Sequence, residues 1–329
     1  MNLPVAELHI HLEGTLEPEM IMSLADKHSI DLPYSSIDEL RAQYEFSNLQ
    51  SFLDLFYANM LVLRTREDFY EITMAYLQRA HASGVRHVEL FFDPQAHVER
   101  GMDLRDVIAG IRDALSEAQD RWGISHKLIA CFWRHAPASE ALELLRLMIA
   151  QKHDIDGIGL DSSELGFPPE LFVDVFDLAR KSGLHVVAHA GEEGPADYIW
   201  QALDLLKVER VDHGIRCLDD EKLVQRLVAE QMPLTVCPLS NIRLRAVDTM
   251  ADHPLPSMLE AGLKVSVHSD DPAYFGGYMD ANFASLMKAF NFSTEQLAQL
   301  ARNSFESSFI DDSSKSERLA EVEAWVSQH

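Results

Sequence analysis

His185-Val186-Val187-Ala188-His189-Ala190-Gly191-Glu192-Glu193-Gly194 is the stretch on which the fold turns. His185 to Ala188 reads as a short buried strand. The run then ends in an imidazole and breaks into a loop of glycine and glutamate. Seven other segments follow the same pattern: Val5 to Ile10, Val85 to Phe92, Leu128 to Trp133, Gly157 to Leu160, Arg210 to Asp212, Leu234 to Cys237 and Val265 to His268. Each is followed by a helical pattern. From Val85 to Val265 the strands start 30 residues apart on average. That is room for one strand, one crossover helix and two short loops. Eight such units predict an α/β fold, a closed (β/α)8 TIM barrel and not an open doubly wound sheet.

The first interval is the exception. From Ile10 to Val85 there are 75 residues, too many for one crossover. Pro18 to His28, Ser36 to Gln43, Asn48 to Leu63 and Glu67 to Ala82 read as helices, which predicts a helical insertion over about residues 14–82. Phe52, Leu53, Phe56, Tyr57, Met60, Leu61 and Leu63 make one of them strongly apolar. That face packs on the barrel, or covers its mouth with one edge, where loops after strands build active sites. Past the eighth strand, Met279 to Phe290, Ser293 to Phe305 and Glu317 to Val326 read as extra helices, an extension over about residues 279–329. Ser293-Thr294-Glu295-Gln296 has the form of a capping box, and Asp311-Asp312-Ser313-Ser314-Lys315 reads as a polar linker. The whole chain, 1–329, is expected to be one barrel domain.

Composition narrows the function. Hydrophobic residues are 47% of the chain, enough for a core, which excludes disorder as the main state. The net charge of −25 repels phosphate backbones, so no nucleic acid and no anionic membrane is expected as a partner. Cys131, Cys217 and Cys237 are too few and too dispersed for a disulfide framework, and they form no C-x-x-C. There is no apolar run of eighteen residues and no signal-like segment at Met1-Asn2-Leu3-Pro4, so a cytoplasmic protein is expected.

The histidines carry the chemistry. His9 and His11 are two apart at the end of the first strand, so both point to one face. His189 ends the fifth strand, His213 follows the sixth, and Asp270 and Asp271 follow the eighth. All six lie at carboxyl ends of strands, the face where such barrels keep their sites. Imidazoles with one carboxylate suit zinc better than magnesium or calcium. A lone histidine is usually an ordinary polar residue, and His28, His81, His126 and His153 read so. Four imidazoles and an Asp-Asp pair on four strand ends would be a costly rim without a ligand. Glu192, three residues beyond His189, lies near that site on the departing loop and is placed to donate a proton. A glutamate favoured at a helix N-terminus is the alternative.

Ala6-Glu7-Leu8-His9-Ile10-His11-Leu12-Glu13-Gly14-Thr15, His189-Ala190-Gly191-Glu192, Asp212-His213-Gly214 and Ser269-Asp270-Asp271-Pro272 together resemble the adenosine deaminase family, within the metal-dependent amidohydrolases. The resemblance runs over nearly the whole chain. It implies one zinc ion per chain on His9, His11, His189 and Asp270. It implies Glu192 as proton donor to purine N1, His213 as the residue orienting the attacking water, and Asp271 as the partner of N7. The net positive charge of such a zinc site lowers the pKa of bound water toward neutrality. One residue departs from the family pattern: His268 stands where Asn is expected. It shares strand parity with Asp270, which puts it one layer lower, as a partner of the ligands or as filler.

Three further segments point to the branch acting on the free base: Asp161-Ser162-Ser163-Glu164, Cys237-Pro238-Leu239-Ser240-Asn241 and Asp271-Pro272-Ala273-Tyr274-Phe275-Gly276-Gly277-Tyr278. The resemblance then implies hydrolysis of a small 6-aminopurine, adenine, to hypoxanthine and ammonia. Adenosine and N6-substituted adenines share the reacting atoms and are the alternatives. A free base carries an N–H at N9 or N3, and Glu164 is the candidate acceptor; a surface loop carboxylate is the other reading. A binuclear hydrolase would bridge its metals with a lysine after the fourth strand, and none occurs between Lys152 and Lys181. His11-Leu12-Glu13 matches half of the cytidine-deaminase motif, but the cysteine half is missing. A purine-binding module without catalysis would have no need of the full set.

Overall fold

The computed structural model describes residues 3–329; Met1 and Asn2, the first two positions of the expected span, lie outside the described residues. Eight strands are present: β1 (Val5–His11), β2 (Val85–Phe92), β3 (Ser125–Trp133), β4 (Gly157–Asp161), β5 (His185–Ala190), β6 (Arg210–His213), β7 (Pro233–Val236) and β8 (Lys264–Val267). They pair in parallel in chain order, as the 30-residue spacing requires. β3 starts earlier than its apolar run, because polar Ser125, His126 and Lys127 still pair with β2.

β1 and β8 meet just past the end of β8. Asp270 N donates to His9 O at 3.1 Å, and His11 N donates to Asp270 O at 3.0 Å. Residues that the sequence offered as metal ligands thus also close the barrel. Asp270 has φ of 61° and His213 has φ of 64°. Neither is glycine, so each conformation costs ~1–3 kcal/mol and is held by its surroundings.

Between β1 and β2 lie α1 (Pro18–His28), α2 (Ile37–Arg41), α3 (Leu49–Asn59) and α4 (Arg66–Ala82). The expected helix from Asn48 to Leu63 is shorter as an α-helix: Asn48 caps α3, and Met60–Val62 tightens into a 3-10 turn. Both α3 and α4 start with capping boxes, Asn48 with Ser51 and Thr65 with Asp68. Phe52 of α3 packs on Phe275, ring centroids 4.7 Å apart, which fastens the insertion to the loop after β8.

The extension has helices at Met279–Ala289, Thr294–Glu306 and Asp312–Val326. The second has the expected capping box. The third starts five residues before the expected Glu317. The presumed linker is its first turn, with the Asp311 side chain accepting from Ser314 N. The Thr294–Glu306 helix braces the closing seam: Ser304 Oγ accepts from Ala6 N at 2.9 Å, and Asn303 Nδ2 donates to Val265 O at 2.7 Å.

Candidate active site

His9 and His11 both point inward from β1 and are buried. His11 Nε2 lies 3.1 Å from His189 Nε2, His9 Nε2 lies 3.2 Å from Asp270 Oδ1, and His11 Nε2 lies 3.5 Å from Asp270 Oδ1. Four-coordinate zinc with ~2.0–2.2 Å bonds needs ligand atoms roughly 3.3–3.6 Å apart. The spacing therefore fits a cation of that size. Burial lowers His11 to about 4 and His189 well below the usual range, so both are neutral, the form that ligates a metal.

The hydrogen bonds beneath fix the His9 tautomer. His9 Nδ1 faces Thr235 Oγ1 at 2.9 Å, and Thr235 donates its own hydrogen to Asp212 Oδ1 at 2.8 Å. The ring hydrogen must then sit on Nδ1, which leaves the Nε2 lone pair free. His9 Nε2 is buried and has no hydrogen-bond partner among the described residues. Asp212 is itself held by Arg210, which is fully buried and donates to Glu89 Oε2 at 2.6 Å. An ionic floor thus lies under the histidine cluster. Cys237 also comes within range of His9, His213 and Asp270, but burial pushes its thiol well up, away from the thiolate that binds metal.

His213, at the end of β6, presents Nε2 at 3.6 Å from Glu192 Oε2 and 3.8 Å from Asp270 Oδ2. Burial holds it near 3, so its ring is neutral. Glu192 is buried, and Oε1 has no partner among the described residues. Burial, with the Asp270 and Glu164 carboxylates nearby, pushes it well above the usual carboxylate range, toward the protonated form. Asp271 Oδ1 is equally without a partner among the described residues. A Cβ on Gly14 would collide with that carboxylate, so the Glu13–Thr15 turn approaches it as closely as only glycine permits. These groups line one cavity, together with Leu49, Phe52, Leu53, Phe56 and Tyr57 of α3. The insertion both packs on the barrel and covers its mouth.

Glu164 corrects the expectation. It is neither a surface carboxylate nor a lining residue of this cavity: it is 2% exposed and turned into the loop after β5. Its Oε1 accepts from Gly191 N at 2.6 Å; its Oε2 accepts from Glu192 N at 3.1 Å, Glu193 N at 2.8 Å and Gly194 N at 2.7 Å. Four backbone donors hold both oxygens in the loop, and the side chain does not line the cavity, which takes it out of reach of a purine N–H. His268 is fully buried and hydrogen-bonded to its neighbours. It accepts from Leu8 N at 3.0 Å and meets Ser266 Oγ at 2.7 Å, below the ligand layer.

Three other residues were assigned no role from the sequence, although Asp161 opens one of the quoted segments. Asp93 follows β2 and Asp161 ends β4; both are buried and line the cavity. Arg134, after β3, holds β5 by donating to His189 O at 2.7 Å. Asp93 and Asp161 obey the same strand-end rule that found the histidines, and that was the one signal available.

A parallel eight-stranded barrel with three imidazoles and one carboxylate at its carboxyl rim defines a metal-dependent amidohydrolase. The chain belongs to the adenosine deaminase family, whose model matches residues 4–325. It is 53% identical to the adenine deaminase of Hahella chejuensis over 328 residues, 100% of this chain and 98% of that one. It is 53% identical to the adenine deaminase of Streptomyces coelicolor, covering 99% and 96% of the two chains. A crystal structure of adenine deaminase from Arthrobacter aurescens superposes with a TM-score of 0.98 at 57% identity, covering 99% of each chain. A zinc-bound amidohydrolase from Burkholderia ambifaria gives 0.91 at 30% identity, covering 99% of this chain and 91% of that one. No helix of the described residues is long and apolar enough to cross a membrane.

Proposed function

We propose that this chain hydrolyses adenine to hypoxanthine and ammonia with one zinc ion per chain. One observation carries the reading. Glu192 Oε1 and Asp271 Oδ1, both buried and without partners among the described residues, line the same small cavity as the His9, His11, His189 and Asp270 cluster. They are two polar contacts for a flat heterocycle whose reacting carbon faces the cluster. Relatives above 50% identity over the full length carry the name of that activity.

The residues divide the work. His9, His11, His189 and Asp270 would hold zinc, which supplies Lewis acidity and activates water when bound. Glu192 gives its carboxyl proton to N1, which makes C6 more electrophilic. His213 is neutral and orients the water that adds to C6. Asp271 hydrogen-bonds N7 and sets the ring plane. α3 shuts out bulk water, which strengthens each of these contacts. Water enters and ammonia leaves, so the atoms balance.

The test is kcat/KM for adenine, adenosine and N6-methyladenine on one preparation, with metal analysis of the same sample. Adenine should be the best of the three, with one zinc per chain. Adenosine as the best substrate would overturn the free-base reading, and two firmly bound metals per active chain would overturn the mononuclear one.

A further inference from the structure

Glu164 is held by the loop after β5 and does not line the cavity, so the ring N–H of a free base needs another acceptor. The orientation given above leaves one wall for it. C6 faces the histidine cluster, N1 faces Glu192 and N7 faces Asp271. The opposite edge of the purine, with N3 and N9, then faces the ends of β2 and β4. The polar groups there are Asp93, Asp161, Ser162 and Tyr57. Tyr57 donates to Ser162 Oγ at 2.9 Å, and Ser162 Oγ also meets His135 Nδ1 at 2.7 Å, so both hydroxyls are engaged. Asp93 spends Oδ2 on Trp133 Nε1 at 2.9 Å, and its Oδ1 has no partner among the described residues. Asp161 Oδ1 has none either, while the two carboxyl groups hydrogen-bond each other and Asp161 Oδ2 lies 3.7 Å from His11 Nδ1. Asp93 is 1% exposed and Asp161 3%, and both line the cavity.

We propose that Asp93 and Asp161 form the acceptor site for the ring N–H of an unsubstituted purine base, and so select the base over its N9-substituted forms. The proposal rests on the adenine reading above. A substituent at N9 removes the donor, leaves a buried carboxylate oxygen unpaired and adds bulk against the same wall. A site built for a donor rejects the analogue lacking it far more strongly than a site that merely fits its shape. His11, Asp93 and Asp161 also lie close enough to hold a cation among them, which is the competing use of the pair.

The substrate pair that isolates the effect is adenine and 9-methyladenine, which differ at N9 alone. On the zinc-loaded wild type, kcat/KM should favour adenine by about 100-fold or more. Asp93→Ala should lower kcat/KM for adenine by about 100-fold, mostly through KM, and leave 9-methyladenine within about threefold. The preference then collapses while zinc content stays at one per chain. Asp161→Ala is the second variant, with the same expectation. Hypoxanthine against 9-methylhypoxanthine, titrated into wild type by calorimetry, gives a measurement that needs no variant; the unsubstituted base should bind at least tenfold tighter. An unchanged substrate preference in both variants, equal affinity for the two products, or a second metal per chain would overturn the proposal. Absence of adenine turnover by wild type would instead overturn the function on which it rests.

Discussion

The loops after β4 and β5 each carry one buried glutamate, and the two are used in opposite ways. Glu164 accepts four backbone N–H groups from Gly191 to Gly194. Glu192, inside that stretch, has an oxygen with no partner among the described residues and faces the cavity. One carboxyl group is saturated and holds the loop; the other is held by it and left free to react. Burial is similar for both, so burial does not separate a reacting acid from a structural one. The count of satisfied hydrogen bonds does. Glu193 extends the holding side: its Oε1 accepts from Leu49 N at 3.1 Å, which ties the start of α3 to the same loop.

The comparison breaks most clearly at Glu192. Glu192→Gln should keep its zinc and lose about 10²–10⁴-fold in kcat, because the amide has no carboxyl proton to give. The wild-type pH profile supplies the sign. In the proposed mechanism Glu192 must be protonated to act, and its pKa is raised by burial first and by Asp270 and Glu164 next. Turnover is therefore full below that pKa and falls as pH rises through it. The alkaline limb should be absent in the variant. Near-normal kcat in a zinc-loaded Glu192→Gln enzyme would erase the distinction between the two glutamates.

Glu164→Gln comes next. The amide turns donors toward donors and cannot satisfy four N–H groups, so the loop shifts. Displacement of an acid by about 1 Å costs up to ~100-fold in rate. We expect kcat to fall about 10–100-fold with zinc retained, and the melting temperature to drop. The alkaline limb should persist, because Glu192 still supplies the proton. Its loss would mean that Glu164 itself titrates in the reaction.

Gly194→Ala sharpens the same contrast with the smallest effect. A Cβ there would stand 2.6 Å from Glu164 Cδ and 2.8 Å from Tyr198 Cδ2. The glutamate must move, so kcat should fall in the direction of Glu164→Gln but less far. Unchanged steady-state kinetics in this variant would show that the loop tolerates displacement of its anchor.

The sequence made the β1 and β5 ends of the site readable because their information is local. His9 and His11 share parity within one strand, and Glu192 lies three residues beyond His189. Strand spacing did the same for the barrel. Glu164 was misread because the four amides that occupy it lie 27 to 30 residues away, a relation that only the β4–β5 pairing creates. Asp93 and Asp161 escaped for a related reason. Asp93 stands outside every quoted motif, Asp161 drew notice only as the first residue of Asp161-Ser162-Ser163-Glu164, and they become neighbours only when β2 and β4 stand on one rim. The first turn of the last helix was hidden by its composition: Asp311 and the serines after it read as linker and act as cap.

The seam between His9, His11 and Asp270 sets an order of events during synthesis. The first two ligands leave the ribosome near the start of the chain, and Asp270 appears only after β8. At about 5–20 residues per second the interval is on the order of tens of seconds. Until Asp270 has been made, neither the backbone seam nor the His9–His11–Asp270 cluster can be complete. Both depend on the same residue, so chain closure and the candidate ligand cluster share one late requirement in the order of synthesis.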